Sequence, residues 1–131
     1  MKVGFTGTQV GMTVPQVRKL IAKLIELEPD EFHHGDCIGA DSEANDIANE
    51  MDLSIVIHPP EDSKKRAYCS GKYVQLREPK PYMERNQDIV DECDVLIAAP
   101  KHGQEELRSG TGATIRRAVK AKKEIFILNP I

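Results

Sequence analysis

The sequence predicts an α/β fold. The specific expectation is a three-layer α/β/α Rossmann-like domain with a five-stranded parallel sheet of order 3-2-1-4-5. Three observations carry it. β-Branched runs alternate with stretches whose apolar residues recur at helical spacing, which is the pattern of βαβ units. Glycine-rich turns follow the apolar runs and open the helical stretches: Thr6-Gly7-Thr8-Gln9-Val10-Gly11, His34-Gly35-Asp36-Cys37-Ile38-Gly39-Ala40-Asp41 and Arg108-Ser109-Gly110-Thr111-Gly112-Ala113-Thr114. The length of 131 residues suits one domain, here taken as residues 1–131.

Each element has its own signal. Residues 2–6 (Lys-Val-Gly-Phe-Thr) read as a first strand. Thr13 and Gln16 stand at capping-box spacing, with Pro15 tolerated in the first helical turn. Val17, Leu20, Ile21, Leu24 and Ile25 would form one apolar face, and Pro29-Asp30 ends that helix. Residues 31–35 form a weak second strand, with Phe32 and His34 on one side and His33 on the other. Asp41 is placed to cap a second helix striped by Ala44, Ile47, Ala48 and Met51. Residues 53–58 are a β-branched third strand, stopped by Pro59-Pro60. Residues 61–81 lack periodicity and read as a long loop with at most one short helix. A helix over 82–92, a strong strand over 94–99, a polar loop over 101–109, a helix over 112–122 and a strand over 124–128 complete the order.

Composition narrows the function. Aromatics are 5% with no Trp, which argues against the base-stacking platforms of single-strand binders. A net charge of −3 offers no global attraction to nucleic acid or anionic lipid. No apolar run approaches the ~20 residues of a membrane span. Cys37, Cys69 and Cys93 are odd in number, lack C-x-x-C spacing and follow no leader-like segment, so a reducing cytoplasm is expected.

In such a sheet, ligands bind outside the carboxyl ends of the strands, where the strand order reverses. All three glycine turns fall at those ends. A helix start with bare N–H groups can seat an anion, and glycine lets main chain approach it. Ser109, Gly110, Thr111 and Gly112 are therefore candidate phosphate contacts, although Thr111 could equally be a plain N-cap. The spacing fits neither a Walker A loop nor the G-x-G-x-x-G dinucleotide fingerprint. Thr6, Gly7, Thr8, Gln9, Gly35, Asp36, Gly39, Ala40 and Asp41 would line a sugar and base, with Pro100 at the end of the fourth strand. Arg85 would neutralise phosphate charge beside Asn86, or simply face solvent. The segment 61–81 carries six cations against three acids, as a lid over a polyanion or as a solvated loop. His33, His34, Asp36 and Cys37 match no usual zinc spacing, so no metal is expected.

These pieces resemble the SLOG superfamily of Rossmann-like nucleotide-binding proteins, and within it the small YspA-like branch. The resemblance rests on Phe5-Thr6-Gly7-Thr8, on His34-Gly35 through Gly39-Ala40-Asp41, on Arg85-Asn86 with Ile89-Val90 and Asp94, and on Gly110-Thr111 with Ile115-Arg116 and Ala118. It implies a nucleotide-like small molecule at the sheet's carboxyl edge, no other cofactor, and a homodimer. Related LOG-type phosphoribohydrolases cleave nucleoside monophosphates with a Glu three positions after Gly-Thr, and deoxyribosyltransferases share that turn. Thr114 stands there in this chain. Hydrolysis or transfer would need Asp36, Asp41 or Glu43 as the carboxylate instead. The related DNA-processing protein binds single-stranded DNA, which the acidic balance and scarce aromatics argue against here.

Overall fold

A computed structural model describes residues 1–101 and 110–131. The order is β1 (Lys2–Gly7), α1 (Val14–Leu27), β2 (Glu31–His34), α2 (Ala40–Glu50), β3 (Ser54–Ile57), β4 (Val74–Leu76), α3 (Tyr82–Glu92), β5 (Val95–Ala99), α4 (Gly110–Lys120) and β6 (Glu124–Ile127). The strands form one parallel sheet of order β4-β3-β2-β1-β5-β6. The five expected strands keep their expected order. The sixth, β4, corrects the expectation of a five-stranded sheet and of a 61–81 segment without a strand. Its three residues are too few to show a period, and only the ladder with β3 reveals it. Tyr73 O accepts from Ile55 N at 2.8 Å, and Arg77 N donates to Ile57 O at 2.9 Å. A 3-10 turn, Ser63–Lys65, occupies the same segment.

Helices α1 and α2 cover one face and α3 and α4 the other. Phe5, Phe32, Ile55 and Ile97 meet Leu20, Leu24, Ala44 and Ala48 on the first face. Leu96 meets Val90 and Ala118 on the second. Burying each large aliphatic side chain contributes about 1.5–3 kcal/mol. Thr13 starts α1 with the predicted reciprocal capping box. The buried line of α1 is Gln16, Leu20 and Leu24, whereas Ile21 and Ile25 turn outward at 37% and 61% exposure. The inward stripe is thus narrower than the apolar composition suggested. Gln16 is inside because its Nε2 bonds Pro100 O at 2.7 Å and Leu128 O at 3.0 Å, tying α1 to the ends of β5 and β6. No helix among the described residues is long and apolar enough to cross a membrane.

The segment between β3 and α3 is strapped down instead of hinged. Asp36, fully buried at φ 56°, accepts from Cys69 N at 2.8 Å and from Arg66 Nε at 2.9 Å, and its carbonyl accepts from Ala67 N at 2.8 Å. Lys72, Arg77 and Lys80 pair with Asp52, Glu92 and Asp88. These pairings account for most of the segment's cations without a polyanion. Asp36→Ala would leave a half-buried N–H and a largely buried guanidinium without their acceptor. Its unfolding free energy should fall by about 3 kcal/mol in chemical denaturation. A loss below about 1 kcal/mol would mean that the strap does not depend on this carboxylate.

Candidate functional site

The loops after β1, β2 and β5 converge at the carboxyl edge, where the order passes from β2 through β1 to β5. A cleft of about 310 Å³ opens there. The β1 side supplies Thr6, Gly7, Thr8, Gln9 and Val10. The β2–α2 turn supplies Cys37 and Asp41, α3 supplies Tyr82, Arg85 and Asn86, and the β5–α4 side supplies Lys101, Gly110 and Thr111.

The β2–α2 turn departs from expectation in its glycines. Gly39 has φ 91°, and a Cβ there would overlap the Gln9 backbone. It lets the turn dock on the β1–α1 loop, where Ala40 N donates to Thr8 O at 2.9 Å. A Cβ on Gly35 would overlap Arg85 Nη1. Both glycines serve close approach within the protein, and neither they nor Ala40 line the cleft. Helix α2 begins at Ala40 with Gly39 as its N-cap. Asp41 therefore sits inside the first turn and is not the cap.

The three candidate carboxylates part company. Asp36 is consumed by the strap. Glu43 Oε1 accepts from Met12 N at 2.6 Å, holding the β1–α1 loop. Asp41 alone of the three lines the cleft. It is 6% exposed, and its Oδ2 accepts from Cys37 N at 3.2 Å. Its Oδ1 is buried with no hydrogen-bond partner among the described residues. Burial raises its pKa above the ordinary 3.8, opposed by His34, by Arg85 and by the backbone N–H groups of Cys37 and Gly35.

Arg85 lines the cleft and is also engaged by the scaffold. It is 6% exposed. Nε donates to Asn86 Oδ1 at 2.8 Å, and Nη1 donates to Gly35 O and to His58 O at 3.2 Å. Nη2 lies 3.7 Å from Cys37 Sγ and has the capacity that remains. Burial pushes the Cys37 thiol up, so it is no ready nucleophile. Gly110 and Thr111 open α4 at the cleft, two residues earlier than predicted, so Thr111 is inside the helix and not its N-cap. Gly112 is buried in the same turn, and Pro100 O is taken by Gln16. Arg108 and Ser109 lie outside the described residues. Sequence reasoning missed Val10, Cys37, Tyr82 and Lys101 as lining residues. Tyr82 was within reach, because it stands three before Arg85 on one helical face, and the guanidinium carbon lies 5.3 Å from its ring centroid.

A second polar cluster lies on the other side of Arg85. His33 Nδ1 and His58 Nε2 are 2.8 Å apart in stacked rings, and His33 Nε2 is 2.8 Å from Glu31 Oε1. Burial lowers both imidazole pKa values, that of His58 to about 3. Ligand atoms of His33, His58 and Glu92 lie within 4.8 Å of one another. The facing imidazole nitrogens are joined at hydrogen-bond distance, however, and Glu92 is held by Arg77 at 2.6 Å. The arrangement is that of a satisfied buried histidine pair. His34 faces the opposite way, 2.9 Å from Asn45 Oδ1.

Comparison with known proteins places the fold. No protein-family model matches the chain, and no curated protein sequence matches it. Solved structures do. The chain is similar to the molybdenum cofactor binding protein of Rippkaea orientalis, with a TM-score of 0.72 at 20% identity, over 98% of this chain and 76% of that one. It is similar to DNA processing protein A of Streptococcus pneumoniae, with a TM-score of 0.69 at 18% identity, over 96% of this chain and 49% of that one. The Helicobacter pylori protein of the same name, described in its single-stranded DNA binding mode, gives 0.66 at 18% identity over 97% and 64%. The architecture is thus a Rossmann-like α/β fold.

The raised pKa of Asp41 makes a signed prediction. A carboxyl whose folded pKa lies above its unfolded value stabilises the fold below about 3.8, and that contribution is lost as pH rises through the folded value. Asp41→Asn cannot titrate. The stability of the variant relative to wild type should therefore rise between pH 4 and pH 7 in denaturant titrations. A difference that stays flat with pH would show that Asp41 has its ordinary pKa.

Proposed function

We propose that the chain binds a nucleotide-like small molecule in this cleft and holds or senses it without chemistry. The observation that carries the reading is the cleft's position and lining. It lies where the strand order reverses, with the start of α4 on one side of β1 and a buried carboxylate on the other. The partial positive charge of the α4 start, with Lys101 beside it, favours an anion such as a phosphate. Thr6, Thr8 and Gln9 offer polar side chains between the two ends. A volume of about 310 Å³ suits a mononucleotide-sized ligand better than a polymer. Structural neighbours named for binding a cofactor or single-stranded DNA support a ligand-binding module.

Thermal-shift titration with a panel of nucleoside mono- and diphosphates tests the reading. A ligand at ~100 times its dissociation constant should add about 2.7 kcal/mol of stability. Among the described residues, a Cβ at Gly110 meets nothing within 4 Å. Gly110→Leu should therefore fold normally while filling the mouth of the cleft and losing the shift. An unchanged shift would take the α4 start out of the site. Tight single-stranded DNA binding that weakens steeply with salt would replace the small molecule by nucleic acid. Release of free base from a nucleoside monophosphate, stopped by Asp41→Asn, would replace storage by N-glycosidic chemistry.

A further inference from the structure

We infer that Tyr82 is the seat for a planar ring in this cleft: the heteroaromatic part of the ligand stacks on the Tyr82 ring while its anionic part lies at the start of α4. This rests on the ligand-binding reading above and adds which part of the ligand is recognised where. Tyr82 opens α3, and Arg85 N donates to Pro81 O at 2.9 Å to close the first turn. The Arg85 guanidinium carbon stands over the Tyr82 ring, 5.3 Å from its centroid. That guanidinium is itself fixed by Gly35 O and by His58 O at 3.2 Å. The ring is therefore backed by a buried, anchored cation, which orders it before any ligand arrives. Tyr82 is nonetheless 37% exposed, and it lines the cleft.

Among the described residues, Tyr82 and Val10 are the two large apolar side chains of the lining, and Val10 is 75% exposed on the β1–α1 loop. The other lining side chains are small or polar, which suits an anion, a sugar or water. A flat ring gains by covering Tyr82, because stacking needs only a π-face and takes apolar surface out of water. Tyr68 and Tyr73 lack this setting. Tyr68 lies over Arg66, Tyr73 precedes β4, and neither lines the cleft. Stacking tolerates different bases, so the seat selects planarity over the identity of the base. The ligand class is an anion that carries a planar heteroaromatic ring.

The test uses the full chain, titrated calorimetrically with AMP, GMP, CMP, UMP and ribose 5-phosphate. The wild type should bind at least one of the nucleotides about tenfold more tightly than ribose 5-phosphate. Tyr82→Ala should weaken that nucleotide about tenfold and leave ribose 5-phosphate within about twofold, whereas Tyr82→Phe should bind both as the wild type does. The chain has no Trp, so Tyr82→Trp and Tyr73→Trp each carry one fluorescent reporter. The nucleotide should quench the indole of Tyr82→Trp and not that of Tyr73→Trp, and ribose 5-phosphate should quench neither. Equal wild-type affinity for ribose 5-phosphate and all four nucleotides overturns the inference and leaves a cleft that binds the phosphate alone. Unchanged nucleotide affinity in Tyr82→Ala also overturns it, as does a loss that ribose 5-phosphate shares, or Tyr82→Trp emission that the nucleotide does not quench. Should Tyr82→Ala fail to fold, the quenching decides. If none of the five compounds binds the wild type, the ligand-binding reading falls and this inference falls with it.

Discussion

Arg85 organises the carboxyl edge of the sheet. It is a buried cation solvated by main-chain carbonyls, and it draws Gly35 O and His58 O, the positions just beyond β2 and β3, onto one guanidinium. A buried charge is tolerable when its hydrogen bonds are made. The consequence for Asp41 is less obvious. Asp41 lies close enough for Arg85 to pull its pKa down, yet the guanidinium hydrogens are spent elsewhere. The carboxylate has the field of a cation without a hydrogen bond from it. Burial then outweighs that field, and Oδ1 is left buried with no hydrogen-bond partner among the described residues.

The same economy governs the second acid of the turn. Asp36 and Asp41 are five residues apart and both almost fully buried, but their surroundings differ in kind. Asp36 has a largely buried guanidinium and a backbone N–H on its two oxygens, and its left-handed backbone turns its carbonyl toward Ala67. It closes the loop between β3 and β4. Asp41 has the backbone N–H groups of Cys37 and Gly35 beside its carboxylate and a buried Oδ1 with no hydrogen-bond partner among the described residues.

The fold was largely legible because its signals are local and repeated. Thr13 and Gln16 announced α1, and Val95–Ala99 is continuously apolar because it is buried on both faces of a parallel sheet. The strand β4 was not legible, since three residues cannot display a period and the pairing with β3 is a tertiary fact. The site was legible in outline, through Thr6–Gln9, Asp41, Arg85 and Gly110-Thr111, because turns at strand ends are marked by glycine and hydroxyl residues. Roles were harder to read. The sequence places Asp36, Asp41 and Glu43 within eight positions, and nothing in their spacing tells which is consumed by Arg66, which by Met12 and which by nothing. Gly35 and Gly39 likewise announce close approach without saying whether a ligand or the protein's own Arg85 and Gln9 come close.

Likeness of fold and likeness of site separate at this point. At 18–20% identity, what the solved structures share with this chain is a sheet order and a set of loop positions. Those fix where a ligand can lie, because the reversal at β1 leaves a gap that side chains from three loops must fill or leave open. They do not fix what lies there, since one fold hosts many unrelated functions. In this chain the loops leave a buried acceptor on the β2–α2 side and a helix start on the β5–α4 side.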